Sequence, residues 1–392
     1  MIRFLHTGDW HPRSMGTIGG KLSIDPATGL SFSLTDFQDS LDFMALTIVN
    51  ENIKLVLIAG DVFDSNKPTM DELRVVMSFL AFLSEKNIPV VMIPGNHDIS
   101  QSSQMASSLA PLTFLPIHIL ERPGSVVLEI DGEIVKIDCL PYPSRGRLLA
   151  QLVDKKNQTP EELTALINQG LLSILQALSL NPDTELSKPT KRILLAHGSV
   201  ESAVVGEQPR TLAHDVFIPV RDVEGHYDYV ALGHIHQTQA VSDRGMYSGS
   251  LLRQSFGEEK ERKGFLIGEF AQGGVKTTHV TNPYCRTYQT LSSDQLDPIP
   301  TDKRVVYRIK DSVPEDALPL LMPIIHKFTE SLPFVQVDIS VIKEDRTRDA
   351  QLNNSLSSYE ALERCLERDG IQEPSLSLCR HLHLQLCEEA TK

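Results

Sequence analysis

Five apolar runs in this chain stop abruptly at residues that bind metal ions or move protons. "FLHTGDWH" stops at Asp9 and His11, and "LIAGDVFD" stops at Asp61 and Asp64. "MIPGNHD" stops at Asn96, His97 and Asp98, "LLAHG" at His197, and "ALGHIH" at His234 and His236. Singly, each residue could cap a loop and nothing more. Together they form a ligand set of imidazoles, carboxylates and one amide, with no thiolate. That mixture suits Mn²⁺, Fe or Zn²⁺ better than an oxygen-only Mg²⁺ or Ca²⁺ cage. Such a set is too large for one ion and fits two ions sharing a carboxylate. Two metals about 3.5–4 Å apart clamp the attacking and leaving oxygens of an in-line phosphoryl displacement.

The elements that must position these residues are legible as an α/β alternation. "KLVLIAG" and "PVVMIPG" read as buried strands. Between them, Thr69 and Glu72 form a capping box opening a helix to about Lys86. Thr35 with Gln38 suggests a capping box for an earlier helix carrying Phe37, Leu41, Ala45, Ile48 and Val49. "VVLEIDGEIVKI" is two alternating runs joined by Asp131-Gly132, a hairpin signal. Thr159-Pro160 with Glu162 starts a helix running to about Ser179. "KRILLAHG" and "YDYVALGHIH" are further strands. In open α/β sheets ligands gather at the carboxyl ends of strands, where all five motifs fall. Gly60, Gly95 and Gly233, each just before a motif residue, permit tight turns there. After Asn282-Pro283, "KRVVYRIK", "PEDALPLLMPIIHKFTESL" and "FVQVDISVI" form a small strand–helix–strand module. The polar and then helical remainder needs a neighbour to bury its leucines.

Size and composition fit this reading. The chain has 392 residues, enough for two or three domains. No run reads as a membrane span or an extended apolar leader, so a cytoplasmic protein is expected. The five cysteines, Cys139, Cys285, Cys365, Cys379 and Cys387, contain no CxxC pair, which argues against a thiolate zinc site or a disulfide framework. A net charge of −14, from 37 Lys+Arg against 51 Asp+Glu, argues against a stand-alone, salt-driven nucleic-acid binder. It leaves open an enzyme that holds cations or borrows a basic partner.

The ordered set D-x-H, GD-x-x-D, GNHD, a lone His before Gly, and GHIH resembles the calcineurin-like metallophosphoesterases. With "YSGSLLRQSFGEEKERKGF" and "FTESLPFVQVDISVI", the chain looks like their SbcD branch of DNA double-strand-break nucleases over residues 1 to about 345. The resemblance implies a four-layer α-β-β-α sandwich over residues 1–282 and a small α+β capping domain for DNA recognition over 283–345; the helical tail, 346–392, is then expected to dock the ATPase with which such relatives work. The same resemblance implies that Asp9, His11 and His236 hold one divalent ion, Asn96, His197 and His234 the other, and that Asp61 bridges. Mn²⁺ is the expected metal, with Mg²⁺, Fe or Zn²⁺ as alternatives. His97 would be the general acid and Asp98 would orient its ring. Asp64, often a His in archaeal and eukaryotic relatives, would play a supporting part. The implied activity is 3′→5′ exonuclease and endonuclease cleavage of double-stranded DNA ends or hairpins. The implied partners are an SbcC-type ABC/SMC ATPase and a second copy, as a homodimer within a heterotetramer, with no membrane. A phosphodiesterase on a small nucleotide and a catalytically silent scaffold are the competing readings.

Other residues read more plainly. His6 is expected in the core, and His214 and His226 in loops. His381 and His383, two apart on a helix, share no face. Arg145, Arg147, Arg253 and the run Lys260 to Lys263 are the candidates for DNA-phosphate contacts. Trp10 is expected to pack beneath the site.

Overall fold

The computed structural model describes residues 2–14, 24–99, 107–144, 146, 148, 159–180, 190–204, 216–342, 360, 362, 363, 366 and 380. The first sheet contains β1 (Arg3–Thr7), β2 (Leu55–Ala59), β3 (Val90–Ile93), β4 (His118–Ile119), β11 (Gly264–Ala271) and β12 (Gly274–Thr281), in the order β12-β11-β1-β2-β3-β4. The second contains β5 (Gly124–Ile130), β6 (Glu133–Leu140), β7 (Lys191–His197), β8 (Tyr229–Gly233), β9 (Gln239–Ala240) and β10 (Gly245–Tyr247), in the order β5-β6-β7-β8-β10-β9.

The two sheets stack through one apolar layer. Phe4, Leu55, Leu57, Val91 and Ile93 of the first meet Val135, Ile137, Ile193, Leu195 and Ala231 of the second. The outer face of the first sheet, through Leu5, Val56, Ile58 and Met92, packs on helices α1 (Phe32–Asn50) and α2 (Met70–Glu85). The outer face of the second, through Leu194, Ala196, Val230 and Leu232, is covered by Ile167, Leu171 and Leu175 of the helix Pro160–Leu180. This is the four-layer α-β-β-α sandwich. Fully burying an aliphatic or aromatic side chain in these layers contributes about 1.5–3 kcal/mol. His6 lies in the inner layer, its Nδ1 2.9 Å from the Tyr229 hydroxyl and its Nε2 3.2 Å from the Leu232 carbonyl.

Several local expectations are realised. Thr69 and Glu72 form the capping box of α2. Asp131 and Gly132 take φ of 50° and 79° in the hairpin between β5 and β6. Two expectations need correction. Helix α1 begins before Thr35: Ser31 is its N-cap and accepts from Leu34 N, so Thr35 lies inside the first turn. The helix Glu161–Leu180 is long and apolar enough by length and composition to cross a membrane, contrary to the reading that no run approaches that length. Its buried face, however, is the one against the second sheet.

Beyond the sandwich lies a three-stranded sheet, β13-β14-β15, of Tyr288–Leu291, Val306–Pro314 and Val335–Ile342, with the helix Leu318–Ser331 between its last two strands. The chain divides into one compact unit of Met1–Asp311 with Leu320–Ile339 and another of Ser312–Pro319 with Ser340–Lys392. Within the first, the Arg286 guanidinium pairs with Asp36 of α1 and stacks 4.5 Å from the Phe334 ring centroid. In the second, Arg380 pairs with Glu363. Most of the tail helices expected over 346–392, with His381 and His383, lie outside the described residues, as do Arg145, Arg147 and His214.

Candidate metal centre

The carboxyl ends of β1, β2, β3, β7 and β8 converge where the two sheets meet. Asp9 N donates to Gly60 O at 3.0 Å and Trp10 N to Asp61 O at 2.9 Å, which ties the first two loops together. His234 N donates to both Asp9 carboxylate oxygens at 2.9 Å, which joins the second sheet to the first. Asp9, His11, Asp61 and His234 have positive φ of 51°, 43°, 50° and 106°. Left-handed backbone is costly for non-glycine residues and persists where surrounding structure fixes it.

The glycines before the motifs serve closeness more than turning. A Cβ on Gly95 would stand 2.2 Å from Asp61 Oδ1, and one on Gly233 2.0 Å from Ala59 O. Only Gly60 has the positive φ, 85°, that favours glycine.

All seven residues expected as ligands come together. Asp61 Oδ2 lies 3.4 Å from His11 Nε2 and 3.5 Å from His197 Nε2, between two clusters. On one side stand Asp9, His11 and His236, with His236 Nε2 3.3 Å from His11 Nε2. On the other, Asn96 Oδ1 lies 3.1 Å from His197 Nε2 and 2.9 Å from His234 Nδ1. Asp9 and Asp61 are buried, and among the described residues neither pairs with a lysine or arginine. Leaving carboxylates dry costs several kcal/mol each unless cations compensate.

The protons respond accordingly. Burial alone would push Asp61 up, but the charge and hydrogen bond of His197, then His11 and His97, outweigh it and hold the carboxyl well below the usual range. Burial lowers His197, yet Asp61 beside it raises the imidazole to about 9. Burial pushes Asp9 up. Two imidazole Nε2 atoms facing each other beside a shared carboxylate suit divalent cations, and the donor set fits two such ions.

His97 is exposed, its Nδ1 2.9 Å from Asp64 O and its ring 4.6 Å from that of His11. Asp98 does not touch that ring, contrary to the expectation that it orients it. Its carboxylate accepts from the N–H groups of Gly95, Val62 and Phe63 at 2.9–3.1 Å and from Ser108 Oγ at 2.9 Å. Burial and the neighbouring Asp61 lift it to about 6 against those hydrogen bonds. Asp98 therefore ties the second and third motif loops together. Asp64 Oδ1 stands 3.4 Å from His11 Nδ1 and 3.1 Å from Arg13.

Two further expectations fail. Arg253 and Lys263 are not free for phosphate. Arg253 donates to the carbonyls of Glu258, Arg286 and Glu261, and Lys263 is 1% exposed within a polar cluster. Lys260 and Arg262 remain exposed. Trp10 is fully buried against Phe37 and Phe79, as expected for a packing role. Sequence reasoning missed Glu258, which accepts from His236 Nδ1 at 2.8 Å, and Tyr142, whose ring lies 6.0 Å from those of His197 and His234.

Imidazoles and carboxylates gathered at the strand ends of a layered sandwich make a site suited to metal-dependent phosphoester hydrolysis. The chain belongs to the calcineurin-like phosphoesterase family, whose model matches residues 2–238. Among solved structures it is similar to a dimetal phosphatase from Danio rerio, at 12% identity and TM-score 0.39, over 72% of this chain and 99% of that one. It is also similar to TT1561 of Thermus thermophilus, at 11% identity and TM-score 0.38, over 71% and 98%. A third is GAP50, described as the anchor in the inner membrane complex of Plasmodium, at 14% identity and TM-score 0.39, over 72% and 85%.

Proposed function

We propose that this protein is a two-metal DNA nuclease of the SbcD type, cutting double-stranded DNA from 3′ ends and endonucleolytically in partnership with an SbcC-type ATPase. The observation that carries the reading is the placement of "YSGSLLRQSFGEEKERKGF", one of the stretches that look like that branch. It lies against the metal centre through Glu258 and reaches the small sheet through Glu259, which accepts from Thr290 N at 3.1 Å and Thr290 Oγ1 at 2.7 Å. A stretch shared by metal centre and accessory module suits a long polymeric substrate better than a small nucleotide.

Asp9, His11 and His236 would hold one ion, Asn96, His197 and His234 the other, and Asp61 both. Bound there, divalent ions supply Lewis-acid activation of water and neutralise charge on the phosphoryl group. His97, exposed and with Nδ1 engaged by the Asp64 carbonyl, offers Nε2 to protonate the leaving sugar oxygen. Asp98 holds the loop that carries His97 in place through its backbone bonds. Of the basic residues expected to meet phosphates, Lys260 and Arg262 are exposed and would take that part. With a net charge of −14, this subunit relies on the ATPase for most of the DNA-binding surface. The tail, 346–392, is the segment assigned to dock it, and the working assembly is a homodimer within a heterotetramer.

The test is cleavage of 3′ and 5′ end-labelled linear duplex DNA with Mn²⁺, by wild type and His97→Ala. The expected outcome is shortening from 3′ ends by wild type, and about a 10²–10⁴-fold slower rate in a variant that still binds metal. Hydrolysis of bis(p-nitrophenyl) phosphate without cleavage of DNA, even with the ATPase subunit added, would refute the substrate assignment and leave the hydrolase.

A further inference from the structure

The run "GEEKERK", Gly257 to Lys263, reads locally as a solvated charged turn. In the fold its two ends are buried: Glu258 is 9% exposed and Lys263 1%. Glu258 Oε1 accepts from His236 Nδ1 at 2.8 Å, while Oε2 accepts from Lys263 Nζ at 2.8 Å and Gln254 N at 2.9 Å. Lys263 Nζ also donates to His236 O at 3.0 Å, Ser250 Oγ at 2.8 Å and Glu261 Oε2 at 2.7 Å. One ammonium thus holds both the backbone of His236 and the carboxylate that receives its ring.

The same turn is fixed to the small sheet. Glu259 accepts from Thr290 N at 3.1 Å and Thr290 Oγ1 at 2.7 Å, in β13. The Phe256 ring packs 4.8 Å from Tyr288 and 4.6 Å from the Arg308 guanidinium.

We propose that Glu258, anchored by Lys263, is the positioning residue for His236. It keeps the proton on Nδ1 and leaves Nε2 as the metal-binding atom, for one of the two ions only. Of the other ion's two imidazoles, His197 has the corresponding task done by the backbone, through Ala59 O at 2.6 Å from its Nδ1. A carboxylate in this place raises the basicity of the imidazole and fixes its tautomer. The inference rests on the metal-centre reading and is independent of DNA as the substrate.

The experiment is calorimetric titration of the metal-stripped, full-length protein with Mn²⁺, for wild type, Glu258→Gln and Glu258→Ala, alongside thermal melting without metal. In Glu258→Gln the amide must turn its NH₂ toward either Lys263 or His236. We expect wild type to take up two ions. In each variant one binding event should weaken about 10–100-fold while the other stays within about threefold, whatever the accompanying drop in metal-free melting point. Two events as tight as in wild type would overturn the proposal. So would equal weakening of both events with a matching loss of metal-free stability, the signature of a merely structural residue. If Glu258→Ala does not fold, Glu258→Gln decides. A wild type that takes up no Mn²⁺ would remove the metal-centre reading and this proposal together.

Discussion

The two halves of the metal centre are held by different means. The half with Asn96, His197 and His234 is set largely through main-chain groups: the Ala59 carbonyl orients His197, and the His234 N–H docks on the Asp9 carboxylate. Glycines at 95 and 233 let main chain approach main chain there. In the half with His11 and His236, the His11 loop is tied by backbone to the Asp61 loop, but His236 is set by two side chains, Glu258 and Lys263. Backbone-held geometry is inseparable from the fold, whereas side-chain-held geometry can be loosened without dismantling a sheet.

The largest expected effect tests the first half. Gly233→Ala puts a Cβ against Ala59 O between the sheets, and should cost about 3 kcal/mol of stability with impaired uptake of both ions. Urea unfolding combined with Mn²⁺ titration reads both. A variant of wild-type stability would show that the backbone there yields, and the contrast would dissolve. Lys263→Met removes the cation from a buried ionic cluster. A loss of about 2–3 kcal/mol is expected, with weakening confined to one ion, since breaking a buried pair strands its partners. Equal weakening of both ions would break the comparison from the other side. Arg253→Lys keeps the charge but not the fork that reaches three carbonyls. It should cost about 1–1.5 kcal/mol, measured by the urea midpoint at constant slope. Ser31→Ala, at the cap of α1, sharpens the comparison as a control: about 1 kcal/mol of stability lost and Mn²⁺ affinity unchanged. Thr35→Ala should cost only a few tenths of that.

The contrast also explains what the sequence let one read. The ligand candidates of both halves were legible because Asp9, His11, Asp61, Asn96, His197, His234 and His236 end apolar runs, and a strand end is a local pattern. The hairpin at Asp131-Gly132 and the capping box at Thr69 were legible for the same reason. Glu258 and Lys263 were not, because nothing local separates a buried carboxylate from a solvated one in "GEEKERK". Their desolvation comes from His236, Ser250 and Gln254. Sheet membership was equally hidden: β11 pairs antiparallel with β1, Phe4 opposite Gly268, across more than two hundred residues. Thr35 reads as a cap because Gln38 follows three residues on, whereas Ser31, the actual cap, is followed by Leu34 and carries no such signal. Asp98 was misassigned because adjacency to His97 suggested contact, while its side chain turns to the loops of Val62 and Gly95.

The left-handed backbone at Asp9, His11, Asp61 and His234 bears on how the site is dissected by mutagenesis. Asparagine tolerates that conformation and alanine does not. Asp9→Asn and Asp61→Asn therefore remove charge while sparing the chain's path. Alanine at the same positions adds about 1–2 kcal/mol of conformational penalty to the loss of a ligand. An alanine scan of this centre would exaggerate the chemistry of the very residues whose backbone is most unusual.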